Sequence, residues 1–132
     1  MANSYKTLTV GSRFLANFQS GDVSAGDLTA CEEWAFNLIN EEFARAGFDV
    51  TDWSGDDIPP AVADLADEIA SMRAWVFKFM KDGQPPPQSL GEVEVSARQR
   101  IGRLRRSGLL TSAAGRIASD SPSVMRVQNP ES

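Results

Sequence analysis

The polarity pattern is clearest between Ile58 and Met80. Wound at 3.6 residues per turn, this stretch places Ile58, Val62, Leu65, Ala66, Ile69, Met72, Val76, Phe77 and Met80 along one side. Asp64, Asp67, Glu68, Ser71 and Lys78 fall along the other, which predicts an amphipathic helix. A residue before proline is pushed out of the right-handed helical region, so Pro59 is the expected cap and Pro60 the first helical residue. Asp56 and Asp57 precede it, where a helix dipole favours negative charge; Lys78, Lys81 and Gly83 give the matching signals at the other end. Ordering each backbone unit costs about 1–2 kcal/mol, and burying each apolar side chain contributes about 1.5–3 kcal/mol at best. Such a helix needs partners.

Three residues break its pattern. Phe79 falls at one edge of the apolar stripe and Trp75 beyond that edge, so one intramolecular core is not expected to cover both. Either loops of the same chain cover them, or they form a second contact face for another protein. Arg73 lies inside the stripe, where an arginine snorkels or pairs with a carboxylate of a neighbouring helix, with a functional role as the alternative.

A second helix is predicted over Ser24 to Phe48. Ser24 and Asp27 resemble a capping box with the shorter acid, and Gly47 followed by Phe48 suits a glycine C-cap with a trailing hydrophobic contact. Its stripe is Leu28, Cys31, Trp34, Ala35, Leu38, Ile39 and Phe43, with Phe36 well off it. Apolar positions spread so widely suit a helix central to a bundle or shared between subunits. Asp49 to Asp57 is an acidic connection containing Trp53; its aspartates lack the alternating ligands and terminal glutamate of a calcium loop, and a turn with helix-dipole acids explains them more simply.

GQPPP, residues 83–87, is a stiff linker leaning to polyproline II and a potential ligand for proline-recognising domains. Ser89 with Glu92 then makes a capping box for a third helix reaching about Ser107, with Leu90, Val93, Ala97, Ile101 and Leu104 as its stripe. Gly91 and Gly102 lie inside it and weaken the case for an unbroken helix, and Gly108 then Leu109 repeats the ending at Gly47 and Phe48. We read residues 1–23 as an N-terminal arm with a short helix from Ser12 to Phe18, residues 24–110 as the helical domain, and residues 111–132 as a polar tail disordered when alone. The expected fold is all-α: a small bundle of three main helices with an extended N-terminal arm and a C-terminal tail.

Composition narrows the chemistry. The chain has no histidine, which removes the usual proton carrier near neutral pH, and one cysteine, Cys31, which cannot form an internal disulfide or the usual zinc site and is most simply a core residue. We expect no catalysis, cofactor or metal. Apolar runs are too short to span a bilayer and the N-terminus lacks a secretory pattern, so a cytoplasmic origin is expected. Residues 1–82 hold fourteen acids and six bases, a net −8; residues 83–132 hold four acids and seven bases, a net +3, within a total of −5. This asymmetry suits complementary surfaces or head-to-tail packing of copies. The third helix carries Arg98, Arg100, Arg103, Arg105 and Arg106, which can bind phosphates, but the acidic total and the lack of a base-reading motif favour a solvated or protein-facing patch.

The order of a broad helix, an acidic loop, IPPAVADLADEIASMRAW, a proline-containing break and EVEVSARQRIGRLRRSGLL resembles the head-to-tail joining proteins of tailed bacteriophages, most nearly the Mu-type small adaptor or head-completion family. The likeness runs from about Leu28 to Leu110 and rests on Pro59, Pro60, Leu65, Ile69, Trp75, Ala97, Ile101, Leu104 and Gly108; the N-terminal arm departs from the family's opening, and valine at 93 or 95 replaces an aromatic. The resemblance implies a structural adaptor of the virion neck, made in the host cytoplasm. It implies a ring of copies, commonly a dodecamer, beneath the portal protein, extending the channel through which DNA passes without sequence-specific binding. The next neck or tail-completion protein would join below, and no membrane is involved. Trp34, Phe36, Trp75 and Phe79 would then meet adjacent protomers; Arg98, Arg100, Arg103, Arg105, Arg106, Arg116 and Arg126 would dock on the portal or line the channel. The alternative is a small helical nucleic-acid-binding or regulatory protein acting through Arg98 to Arg106.

Overall fold

Pro59 and Pro60 start the central helix where the sequence requires. The computed structural model describes residues 4–19 and 21–110, and these form α1 (Ala25–Arg45), a 3-10 turn at Gly55–Asp57, α2 (Pro60–Lys81) and α3 (Leu90–Arg106), with no strand among the described residues. The fold is a small all-α bundle. The tail at 111–132, with Arg116 and Arg126, lies outside the described residues. No described helix is long and apolar enough to cross a membrane.

The helix ends follow local chemistry. Ser24 Oγ accepts from Asp27 N at 3.1 Å, but the Asp27 side chain does not complete the box. Glu92, one methylene longer, does: Ser89 N donates to its carboxylate at 2.8 Å while Glu92 N donates to Ser89 Oγ at 3.1 Å. At the end of α1, Phe48 N donates to Phe43 O at 2.9 Å and Gly47 N to Ala44 O at 3.0 Å, a Schellman ending that needs the left-handed backbone of Gly47 (φ +91°). The Phe48 ring packs edge-on against Phe43 at 5.0 Å. The ending of α3 departs from this expectation. Ser107 Oγ donates to Leu104 O and accepts from Leu109 N, leaving Leu109 70% exposed while Leu110 turns into the core. Despite Gly91 and Gly102, α3 is unbroken.

Successive helices alternate in direction. Lys81 at the end of α2 bonds to Gly21 O before α1, Arg73 sits over Trp34 near the middle of both helices, and Arg100 of α3 reaches back to Glu68 of α2. The core takes Cys31, Ile39 and Phe43 from α1, Val62, Leu65 and Ile69 from α2, and Ala97 and Ile101 from α3.

The N-terminal arm supplies the remainder. The expected helix at Ser12–Phe18 does not form: Gly11 adopts φ +85° and its N–H turns forward to Leu15 O, while Ser12, Leu15 and Phe18 N–H groups close three linked turns on Thr9, Ser12 and Leu15 carbonyls. These turns bury Leu8, Leu15 and Phe18 against the bundle, with Tyr5 at one end and Val23 at the other. Side chains of the helices anchor the arm. Leu8 N donates to the buried Glu32 carboxylate at 2.8 Å, Tyr5 OH donates to Asn40 Oδ1, and Trp75 Nε1 donates to Phe14 O at 3.2 Å.

This arm corrects several sequence expectations. Trp75 is half-buried, stacked edge-on against Phe18 at 4.6 Å and beside Phe79 at 6.0 Å, so the arm gives it partial cover from the same chain, the first of the two alternatives. Asp67 and Ser71, on the nominally polar side of α2, are buried because the arm lies over that side; Met80, assigned to the apolar stripe, is 54% exposed. Arg73 pairs with no carboxylate among the described residues and instead stacks over Trp34 at 4.8 Å and Phe77 at 5.5 Å.

Glu32→Ala strands a buried amide, so it should lower unfolding stability by about 1–3 kcal/mol and speed exchange of the Leu8 amide, while Glu32→Gln, which keeps an acceptor, should cost less. Urea denaturation with amide hydrogen exchange checks both; equal losses from the two substitutions would show that the hydrogen bond does not hold the arm.

Candidate functional site

The surface of α3 divides into three strips that follow from its periodicity. Val93, Ala97 and Ile101 point into the bundle. Arg98 on one flank faces α1, where its guanidinium bonds to Glu42, lies 3.5 Å from Glu41, and pairs with Glu94 of its own helix at 3.1 Å. Arg100 on the opposite flank bonds to Glu68 of α2 at 2.6 Å. Burial alone would lower the Arg98 pKa, but the hydrogen bonds that Arg98 donates to Glu94 and Glu42 and the charges of Glu41 and Glu42 outweigh it and raise the pKa. The two arginines therefore set the rotation of α3 between the other helices.

The third strip faces away from the bundle: Val95, Gln99, Arg103 and Arg106, around a shallow depression. Val95 is 57% exposed, and Arg103, Arg105 and Arg106 make no ion pair among the described residues. Arg106 folds back over Gly102, where a Cβ would stand only 2.9 Å from its guanidinium nitrogen. Glycine at 102 thus lets that arginine lie flat along the helix.

A separate cleft of about 520 Å³ opens between the arm, α1 and the acidic connection, lined by Tyr5, Phe36, Asn40, Val50, Trp53 and Ile58 among others. Sequence reasoning missed it because Trp53 sits in a polar loop. In the fold Trp53 is only 4% exposed and lies between Phe43 at 5.3 Å and Tyr5 at 6.0 Å. Its indole N–H has no hydrogen-bond partner among the described residues. The available signal was Trp53 flanked by Val50 and Ile58 within an otherwise polar stretch.

The proposed contact residues are distributed rather than gathered. Trp34 is half-buried beneath Arg73, Phe36 packs against Tyr5 at 4.7 Å, and Trp75 and Phe79 lie together where the arm crosses. Arg98 and Arg100 are engaged with the chain's own acids, and Arg103, Arg105 and Arg106 are not so engaged among the described residues. Burial pushes the Cys31 thiol and, against the lowering effect of its Asn40 bond, the Tyr5 phenol up to about 12. Both stay protonated near neutral pH. No group of three metal-ligating side chains is close enough to hold an ion among the described residues.

Comparison of the chain with models of known families, with curated proteins and with solved structures finds no match.

Two substitutions test these electrostatics. Arg98→Ala should lower stability by under about 1 kcal/mol, because the pairs are partly exposed, with the loss shrinking in high salt; denaturant titration at two ionic strengths reads it. Burial raises the Asp67 pKa, against the opposing pull of Lys6, Ser71 and Arg13, so the folded state holds this proton more tightly than the unfolded chain. The charged carboxylate is then a penalty at neutral pH that fades as pH falls through the folded pKa. Asp67→Asn should raise Tm at pH 7, and the gain should vanish below the unfolded carboxylate pKa of about 3.9.

Proposed function

We propose that this chain is a non-enzymatic structural adaptor of a phage neck, one protomer of a ring that sits beneath the portal, extends the DNA channel and presents a surface to the next neck or tail-completion protein. The sequence supports this through the order of its elements: the proline-started helix, the proline break and the arginine-rich helix ending at Gly108. The observation that carries the reading is the division of labour among the arginines. Arg98 and Arg100 are used to fix α3 against α1 and α2, while Val95, Arg103, Arg106 and Leu109 are left facing outward. A protein that works by offering a rigid, charged edge to neighbours needs this arrangement.

Assembly contacts on that outward edge would add to those proposed at Trp34, Phe36, Trp75 and Phe79, of which Trp75 is half-buried under the arm. The nucleic-acid reading keeps one favouring observation, the three arginines without ion pairs among the described residues, but these number fewer than the five that the sequence offered.

Particles made without this protein should fail to retain packaged DNA or to join tails; normal retention and joining would remove the assignment. The isolated chain titrated with duplex DNA should bind little at low or high salt, whereas a nucleic-acid-binding protein would bind tightly at low salt and lose affinity steeply as salt rises.

A further inference from the structure

The cleft and the end of α3 are complementary in both polarity and charge. The cleft presents Phe36, Val50 and Ile58 as partly buried apolar walls, with Trp53 deeper. The connection carries Asp49, Asp52, Asp56 and Asp57, each next in sequence to a residue that lines the cleft, all exposed and without an ion pair among the described residues. Thr51 donates to Asp49 through its backbone N at 3.0 Å and its hydroxyl at 2.6 Å, which holds that carboxyl below the usual range and keeps it charged.

The opposite chemistry stands at the end of α3. Leu109 is the most exposed large apolar side chain described, placed outward by the turn at Gly108, and Arg103 and Arg106 lie beside it on the preceding turns. Because α2 runs against both its neighbours, the end of α3 and the connection between α1 and α2 lie at the same end of the bundle. That end therefore carries both an apolar hollow next to acids and an apolar knob close in sequence to bases.

We infer that the acid-rimmed cleft of one copy receives Leu109 of a second copy, with Arg103 and Arg106 of that copy meeting the aspartates around it. Leu109 supplies the apolar anchor and the charges set orientation and rate of encounter. Passed from copy to copy, the contact is heterologous and closes a ring where the rotation allows. The inference rests on the proposed assembly of copies and assigns the two faces through which they meet.

Sedimentation velocity of the full chain across a concentration series, at ~0.05 M and ~0.5 M salt, tests it. Wild-type protein should self-associate, more weakly at high salt. R103E with R106E should weaken association by about tenfold or more, as should D52K with D56K, and an equimolar mixture of the two variants should restore it because each then offers the charge that the other lacks. L109D should weaken association with Tm unchanged, since the side chain is already in solvent. A wild-type chain that stays monomeric to millimolar concentration, as it would if another protein filled the cleft, overturns the inference. So do charge-reversed variants that associate normally, or a mixture that stays dissociated. Particle assembly without the protein tests the neck assignment separately, so either idea can fail alone.

Discussion

Enclosing α2 is the constraint that shapes this chain. The helix buries Val62, Leu65, Ile69 and Val76 among apolar neighbours, yet it also buries Asp67 and Ser71 around the side. Two flanking helices cannot close that circumference, and the arm takes the open side. An irregular arm brings unpaired backbone groups into the interior, each costing about 1–3 kcal/mol if left unsatisfied. Glu32 and Trp75 meet that demand, the first accepting from Leu8 N and the second donating to Phe14 O. The burial of Leu8, Leu15 and Phe18 is therefore conditional on two polar contacts supplied by helices distant in sequence.

That dependence explains what the sequence disclosed and what it hid. All three helices were legible because their limits are written locally: Ser24 and Ser89 as caps, Pro59 before Pro60, and Gly47 where left-handed backbone ends α1. The arm was not, because its turns form around Gly11 and its anchors are Glu32, Asn40 and Trp75, none of which announces its partner by spacing. Asp67 read as solvent-facing on the helix period, and only a covering segment from elsewhere in the chain reverses that. Trp53 was hidden by the polar residues around it, and the cleft was hidden with it. For the arginine helix, sequence gave the number of charges but not their partners; Glu41, Glu42 and Glu68 lie far away in the chain.

Those partners alter the meaning of the charge asymmetry. Pairs as exposed as Arg98 with Glu41 contribute little to stability, so the buried stripe of Val93, Ala97 and Ile101 holds α3 in place while the pairs set its rotation. The internal pairing also removes two arginines from the field seen by a visitor. What remains outside among the described residues is a bipolar surface, acidic at the connection and basic from Arg103 to Arg106.

The arm changes the energetics of any assembly as well. With Trp75 and Phe36 half-covered, the large apolar side chains left well exposed among the described residues are Met80, Val95 and Leu109, and scattered residues of that kind are ordinary on a protein surface. Apolar area alone cannot then drive copies together. A contact made from one leucine and a few exposed charges is weak when formed singly, and its strength falls with salt. It becomes persistent only when several copies engage at once, since each closed contact raises the effective concentration for the next. A protomer built in this way associates weakly and reversibly in free solution, and ring closure on a portal would make the association persistent under the proposed function.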